Sequence, residues 1–165
     1  MKLYEIIFVD FDGVLAQWEP SADKIPFDRE TQPNEFWGAM DHEFYSNLEP
    51  YEGVLEFIKK VKKFGDEVKF LTGAPMTPGA WSGKAEWLMK LYNDKWAMKD
   101  LFVCASLDKR LLSQPGRLLI DDTKRNCDMW VEYGGDSICH TSISETIKLL
   151  EIAKEHNSTE VIRES

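Results

Sequence analysis

Short apolar runs recur along this chain and alternate with stretches of helical period, and that alternation restricts the fold more than any other feature of the sequence. The runs are "IIFV" at 6–9, "EVKFL" at 67–71, "LFVCA" at 101–105, "RLLID" at 117–121 and "SICH" at 137–140. Between them, Val54, Phe57, Ile58, Val61 and Phe64 recur at spacings of three and four and stop at Gly65, which predicts a helix closed by a glycine cap. Residues 84–92, with Ala85, Leu88 and Leu91, predict a second helix, and Ser142 with Glu145 reads as a capping box opening a last one. Short strands separated by helices predict an α/β fold: a mostly parallel, doubly wound sheet with right-handed crossovers.

Residues 16–50 break the alternation. They contain Pro20, Pro26 and Pro33 and end in the aromatic-rich "NEFWGAMDHEFYSNLEP", in which Phe36, Trp37, Met40 and Phe44 show some helical spacing. A connection of this length reads as a lid or an inserted subdomain. The expected organisation is a core of residues 1–15 and 51–156, a small cap at 16–50 and a polar tail at 157–165, the last stretch "HNSTEVIRES" being expected to fray.

With 165 residues, 43% of them hydrophobic, the chain can bury one real core. Twenty basic side chains face 29 acidic ones, for a net charge of −9, and no basic block with interleaved aromatics occurs. A long nucleic acid is thereby disfavoured as a partner, while a small anion reached through a metal ion stays open. Cys104, Cys127 and Cys139 lack C-x-x-C spacing and read as reduced, mostly buried thiols; His42, His140 and His156 are scattered and offer no zinc-ligand pair. No apolar run approaches the ~20 residues of a membrane span. The chain enters its first strand within a few residues, so no signal peptide and a cytoplasmic location are expected.

In parallel sheets ligands bind beyond the carboxyl ends of the strands, so what stands there carries the functional signal. The first strand ends in Asp10 and Asp12, whose i, i+2 spacing puts both carboxylates on one face, and Gly13 then lets the backbone turn. Such a pair repels itself and calls for a cation, a shared proton or a division of chemical labour. The second strand ends in Thr72 and Gly73, the third is followed by Lys109, and the fourth ends in Asp121 and Asp122. This set suits phosphoryl transfer through an aspartyl intermediate. One carboxylate attacks phosphorus, a second carboxyl manages the proton, hydroxyl, amides and Lys bind the phosphate oxygens, and a divalent cation offsets the crowded charge. Hard oxygen ligands select Mg²⁺.

In order and spacing, "DFDGV" at 10–14, "LTG" at 71–73, Lys109 and "LLIDD" at 118–122 resemble the four motifs of the haloacid dehalogenase superfamily of phosphohydrolases. The resemblance spans about residues 4–150. The segments "EFWGAMDHEFYSNLEPYEGVLEFIKKV" and "KAEWLMKLY", with "DK" ahead of "LLIDDT", look further like the 5'(3')-deoxyribonucleotidase branch. The resemblance implies Asp10 as nucleophile and metal ligand, and Asp12 as general acid/base that also offers its backbone carbonyl to the metal. It implies Thr72, Gly73 and Lys109 as the phosphate site, and Asp121 and Asp122 as the rest of the Mg²⁺ site, either of them being the direct ligand. The 16–50 segment would be the cap over the leaving group, and Trp18, Phe36, Trp37, Phe44 and Trp81 are candidates to stack on a base. The expected substrate is a small phosphorylated molecule, a nucleoside monophosphate above all, and a homodimer is among the expected assemblies. Departures from the branch are the "GAP" after Thr72 and a short stretch from Asp12 to Thr72, which leaves room for a more open site.

Blander and competing readings stand beside this one. Lys84 follows "PGAWSG", but Gly79 and Gly83 are too close for a phosphate loop and Ala85 stands where Ser or Thr would hold Mg²⁺, so it reads as a helix start facing phosphate at most. Lys109 could be a solvated lysine between Asp108 and Arg110, and Asp122 could cap the following helix with Thr123. A polynucleotide 3'-phosphatase shares the motifs by resemblance, against the acidic balance. A signalling receiver domain would need its acid pair on the first strand and its lone aspartate later, the reverse of the order here. A non-catalytic phosphate-binding module would not need the full set of residue types.

Overall fold

The structure is a computed structural model that describes residues 2–156 and 159–163. Strands β1 (Tyr4–Val9), β2 (Gly65–Gly73), β3 (Leu101–Cys104), β4 (Arg117–Asp121) and β5 (Asp136–Cys139) form one parallel sheet in the order β3-β2-β1-β4-β5. β1 is central, with Ile7 opposite Val68 on one side and Leu118 on the other. Burial on both faces explains why its sequence is continuously apolar instead of alternating. The chain leaves β1 toward one edge and returns to the other side through β4, so the strand order reverses beside β1 and opens a crevice at its carboxyl end.

Before β2 the chain forms α1 (Trp18–Ala22), α2 (Pro33–Gly38), α3 (His42–Ser46) and α4 (Val54–Val61), and after it α5 (Pro78–Tyr92). Beyond β4 come α6 (Lys124–Glu132), α7 (Ile143–Glu155) and α8 (Glu160–Arg163). Two apolar layers cover the sheet. Ile7, Val9, Leu118 and Ile120 pack in one cluster with Phe57, Leu88 and Leu150, whereas Phe8, Leu71 and Leu119 meet Trp130 of α6 in the other. Successive β1 residues thus serve opposite layers, as strand geometry requires.

Four sequence expectations are corrected. Gly65 does not cap a helix but begins β2, where a Cβ would meet Ile7 Cγ1 at 2.8 Å; the glycine lets the neighbouring strand's side chain approach. The second helix begins well before residue 84: Thr77 caps it, accepting from the Ala80 amide at 3.4 Å, and Pro78 stands in its first turn. Part of the tail is ordered, since α8 buries Ile162 and Arg163 Nε donates to Asp136 Oδ1 at 2.7 Å. Residues 157, 158, 164 and 165 of the expected tail lie outside the described residues. The cysteines are free, but only Cys127 is buried; Cys104 is half-buried and Cys139 exposed. Ser142 does cap α7, accepting from the Glu145 amide at 3.2 Å. No helix among the described residues is long and apolar enough to cross a membrane.

The 16–50 segment, expected to be an inserted cap, is fastened at its ends to the flanking chain. Ala16 bridges to Asp12 and to Pro50, Gln17 N donates to Glu49 O at 2.8 Å and Tyr51 N to Leu15 O at 2.9 Å. Its helix α3 lies directly on α5, because Gly79 and Gly83, four residues apart, present no side chain: a Cβ on either would come within 2.8 Å and 2.6 Å of the His42 backbone. His42 then pairs with Ser82 Oγ at 2.8 Å and Glu86 Oε2 at 2.9 Å, and Trp87 Nε1 donates to Leu48 O at 2.7 Å.

Burial lowers the pKa of His140 to about 4, its Nδ1 lying 2.8 Å from Thr146 Oγ1. The unfolded chain therefore takes up this proton first as pH falls below 6.5, and the fold loses stability until about pH 4, amounting to roughly 2 kcal/mol at pH 5 before solvent screening reduces it. The urea midpoint of the wild type is expected to fall between pH 7 and 5 more steeply than that of His140→Gln. Parallel slopes would show that this histidine does not limit acid stability.

Candidate active site

β1, β2 and β4 deliver their carboxyl ends to one place, and the 3₁₀ segment Ser106–Leu112 after β3 folds a lysine into it. Lys109 is 2% exposed, and its Nζ lies 2.8 Å from Asp10 Oδ1 and 2.7 Å from Asp121 Oδ2. It is therefore no solvated lysine. The two carboxylates hold its pKa above the ordinary range despite the opposing effect of burial.

Asp10 also accepts from the Phe11 amide on Oδ1, at 2.8 Å, so both polar contacts fall on one oxygen and Oδ2 has no donor among the described residues. Burial, and after it the charges of Asp121 and Asp12, push its pKa up to about 7, although Lys109 opposes them. Asp121 is fully buried and bound on both oxygens: Thr123 N donates to Oδ1 at 2.9 Å, and Asn126 Nδ2 reaches both at 3.1 Å. Among the described residues the Asp122 carboxylate accepts only a 3.3 Å contact from Thr123 Oγ1, and burial with the neighbouring Asp121 charge raises it to about 6. Thr123 stands at the N-cap of α6 without a side-chain cap bond. Gly13, at φ +78°, turns the chain under Asp122, whose carboxylate occupies the space a Cβ would need.

Asp12 has a different partner. Lys84, 1% exposed in the interior of α5, donates from Nζ to Asp12 Oδ2 at 2.6 Å and to Thr72 Oγ1 at 2.9 Å, and lies 4.4 Å from the Tyr45 ring centre. Asp12 Oδ1 is buried and has no hydrogen-bond partner among the described residues. Thr72 itself is fully buried and donates to Gly73 O at 3.2 Å. Lys84 is the main site residue that sequence reasoning placed wrongly. A start of α5 at residue 84 put it at a helix mouth; with Thr77 and Pro78 recognised as cap and first turn, it falls two turns in, on the face toward the sheet.

Asp10, Asp121 and Asp122 each offer an oxygen within 4.8 Å of the others. Four aspartates thus gather around two lysines, with raised pKa values on two of them and an orphaned oxygen on a third. An all-oxygen, electron-rich donor set of this kind fits a hard divalent cation such as Mg²⁺.

These groups open into a cavity of about 530 Å³. Asp10, Asp12, Gly73, Lys109 and Asp122 line its floor, with Ser106 and Asn126 beside them; Trp18, Arg29, Trp37 and Tyr45 of the insert line its wall. Thr72 and Asp121 lie beneath this lining. Of the aromatics considered for stacking, Trp18 and Trp37 reach the cavity, and the other three do not. Phe36 is buried in the main apolar cluster and packs edge-on to Trp37, Phe44 packs edge-on to Tyr45, and Trp81 turns its indole N–H to Pro75 O at 3.2 Å. Arg29, Tyr45, Ser106 and Asn126 had no sequence signal beyond being polar or aromatic in unassigned segments.

No protein-family model and no curated protein matches the sequence. Solved structures do resemble the fold. A haloacid dehalogenase-like family hydrolase from Xanthomonas campestris superposes with a TM-score of 0.65 at 12% identity, over 99% of this chain and 96% of that one. A predicted phosphatase from Clostridium acetobutylicum superposes with a TM-score of 0.60 at 10% identity, over 93% of this chain and 100% of that one. The chain therefore has the α/β fold of haloacid dehalogenase-like hydrolases, a five-stranded parallel sheet flanked by helices.

Proposed function

We propose that the chain is a Mg²⁺-dependent phosphatase of small phosphate monoesters that works through an aspartyl-phosphate, with (deoxy)nucleoside 5'-monophosphates as the favoured substrate class. The observation that carries this reading is the asymmetry at Asp10: Lys109 and the Phe11 amide both hold Oδ1, leaving Oδ2 to attack. A non-catalytic module would have no need of that.

Asp10, Asp121 and Asp122, with the backbone carbonyl of Asp12, would hold Mg²⁺. When bound, the ion offsets the charge of the carboxylates and of the phosphate against each other. Oδ2 of Asp10 attacks phosphorus and the ester oxygen departs with its electron pair, taking a proton from Asp12. In the second half Asp12 takes a proton from water, the water oxygen attacks phosphorus, and the Asp10 carboxylate leaves, regenerating the site. Lys84 holds Asp12 in place through Oδ2, and the Asp12 carboxyl carries the proton. Lys109 orients Asp10 and faces the transferring group, Gly73 lies at its edge, and Thr72 joins through Lys84. The 16–50 insert acts as a cap held on α5, and the cavity has the size typical of small-molecule sites.

Phosphate release from a panel of ribo- and deoxyribonucleoside 5'- and 3'-monophosphates and a 3'-phosphorylated oligonucleotide tests this. Release is expected with Mg²⁺ on the 5'-monophosphates and none with EDTA. Preference for the oligonucleotide would replace the nucleotidase reading by the 3'-phosphatase one, and activity that survives EDTA would sink the metal assignment.

A further inference from the structure

Trp18 and Trp37 stand side by side on the cavity wall, where a clamp for a base would stand. Their ring centres are 6.2 Å apart with 26° between the planes, whereas a flat ring held between them would need two contacts of about 3.5–4.0 Å each, or roughly 7 Å. The guanidinium carbon of Arg29 lies 5.4 Å from the Trp18 ring centre and 5.1 Å from that of Trp37. The pair is therefore already engaged, by a cation.

The position of Arg29 is built into the chain. Asp28 Oδ1 accepts from Glu30 N at 3.0 Å, from Thr31 N at 2.7 Å and from Thr31 Oγ1 at 2.8 Å, closing a tight turn on which Arg29 sits. Arg29 has no carboxylate partner among the described residues, although Glu19 lines the same cavity. Its situation differs from that of Lys109, which is committed to Asp10 and Asp121. A guanidinium laid on aromatic faces keeps its N–H edge free, and that planar fork matches the two oxygens of a carboxylate or phosphate. Stacking also removes much of the entropy cost of holding a long side chain still.

We propose that Arg29, held by Trp18 and Trp37, is an oxyanion receptor in the cavity wall, and that the site selects phosphate monoesters whose leaving group carries a second carboxylate or phosphate. The proposal rests on the phosphatase reading above and narrows its substrate class: among nucleotides it favours nucleoside bisphosphates over monophosphates, and among smaller esters it favours phosphorylated acids over phosphorylated alcohols. The tryptophans then serve as the bed of the arginine, not as the base clamp.

The test pairs a nucleoside 3',5'-bisphosphate with the 5'-monophosphate, and 2-phosphoglycolate with ethyl phosphate. Phosphate release by the wild type is measured, together with calorimetric binding to the Asp10→Asn variant, in which the proposed nucleophile is removed. The acidic member of at least one pair is expected to be favoured about tenfold or more in kcat/KM and in affinity, with Arg29→Met bringing the ratio near one and Arg29→Lys falling between, because a charge remains without the fork. Which pair shows the preference identifies the oxyanion. Equal treatment of both members by the wild-type pocket, or a preference untouched in Arg29→Met, overturns the proposal. Preferential binding that Arg29→Met erases, alongside no phosphate release from any ester, would uphold the receptor and overturn the phosphatase reading instead.

Discussion

Asp10→Asn is expected to lower phosphate release by about 10⁴-fold or more, the scale on which loss of a nucleophile is usually felt, while the protein stays folded and gains a few degrees in Tm at neutral pH. The two effects share one cause. Asp10 is buried among like charges, which push its pKa up to about 7, so above that pH the fold holds a carboxylate that it would sooner protonate. The sign follows from that shift: the folded protein binds the proton more tightly than the unfolded chain, so ionised Asp10 costs stability as pH rises through 7. Asparagine removes the cost, keeps an Oδ1 that can accept from the Phe11 amide and from Lys109, and cannot attack phosphorus. Phosphate-release assays and calorimetric melts at pH 7.5 check both halves. An active variant would mean that Asp10 is not the nucleophile; an inactive variant that melts well below wild type would mean that it was simply structural.

Much of this site was legible because parallel strands place their last residues together. Asp10, Thr72 and Asp121 each follow or end an apolar run, and the register that puts Val9 beside Phe70 and Ile120 is what brings those ends level. Lys109 could be named because its 3₁₀ segment begins only two residues after β3. Lys84 could not, since it stands in the middle of a helix and reaches the site only because α5 crosses over Thr72, a matter of packing that periodicity does not encode. The signals that would have helped were Thr77-Pro78 as a helix start, and Gly79 with Gly83 as a face for close approach. Arg29 and the two tryptophans depended on how a proline-rich segment folds back on itself, and the Asp28 turn that fixes it is a local competition between side chain and backbone.

Lys84→Met is expected to cut kcat by about 10²- to 10³-fold with a much smaller change in KM, and Lys84→Arg to recover little of the loss. The ammonium is the only donor on Asp12 among the described residues, since the other oxygen of that carboxylate has no partner. Methionine matches the stem and can still lie against Tyr45, so the packing of α5 is largely kept while Asp12 loses its hold and swings. Arginine keeps the charge, but its larger planar head must fit where the lysine is 1% exposed and 4.4 Å from a ring centre. A purely structural role predicts a different pattern: a fall in Tm for Lys84→Met, with activity recovered on cooling. A double-mutant cycle with Asp12→Asn separates the two. If Lys84 acts through Asp12, the double variant is about as slow as Asp12→Asn alone; if the losses multiply, Lys84 contributes independently, for instance through Thr72.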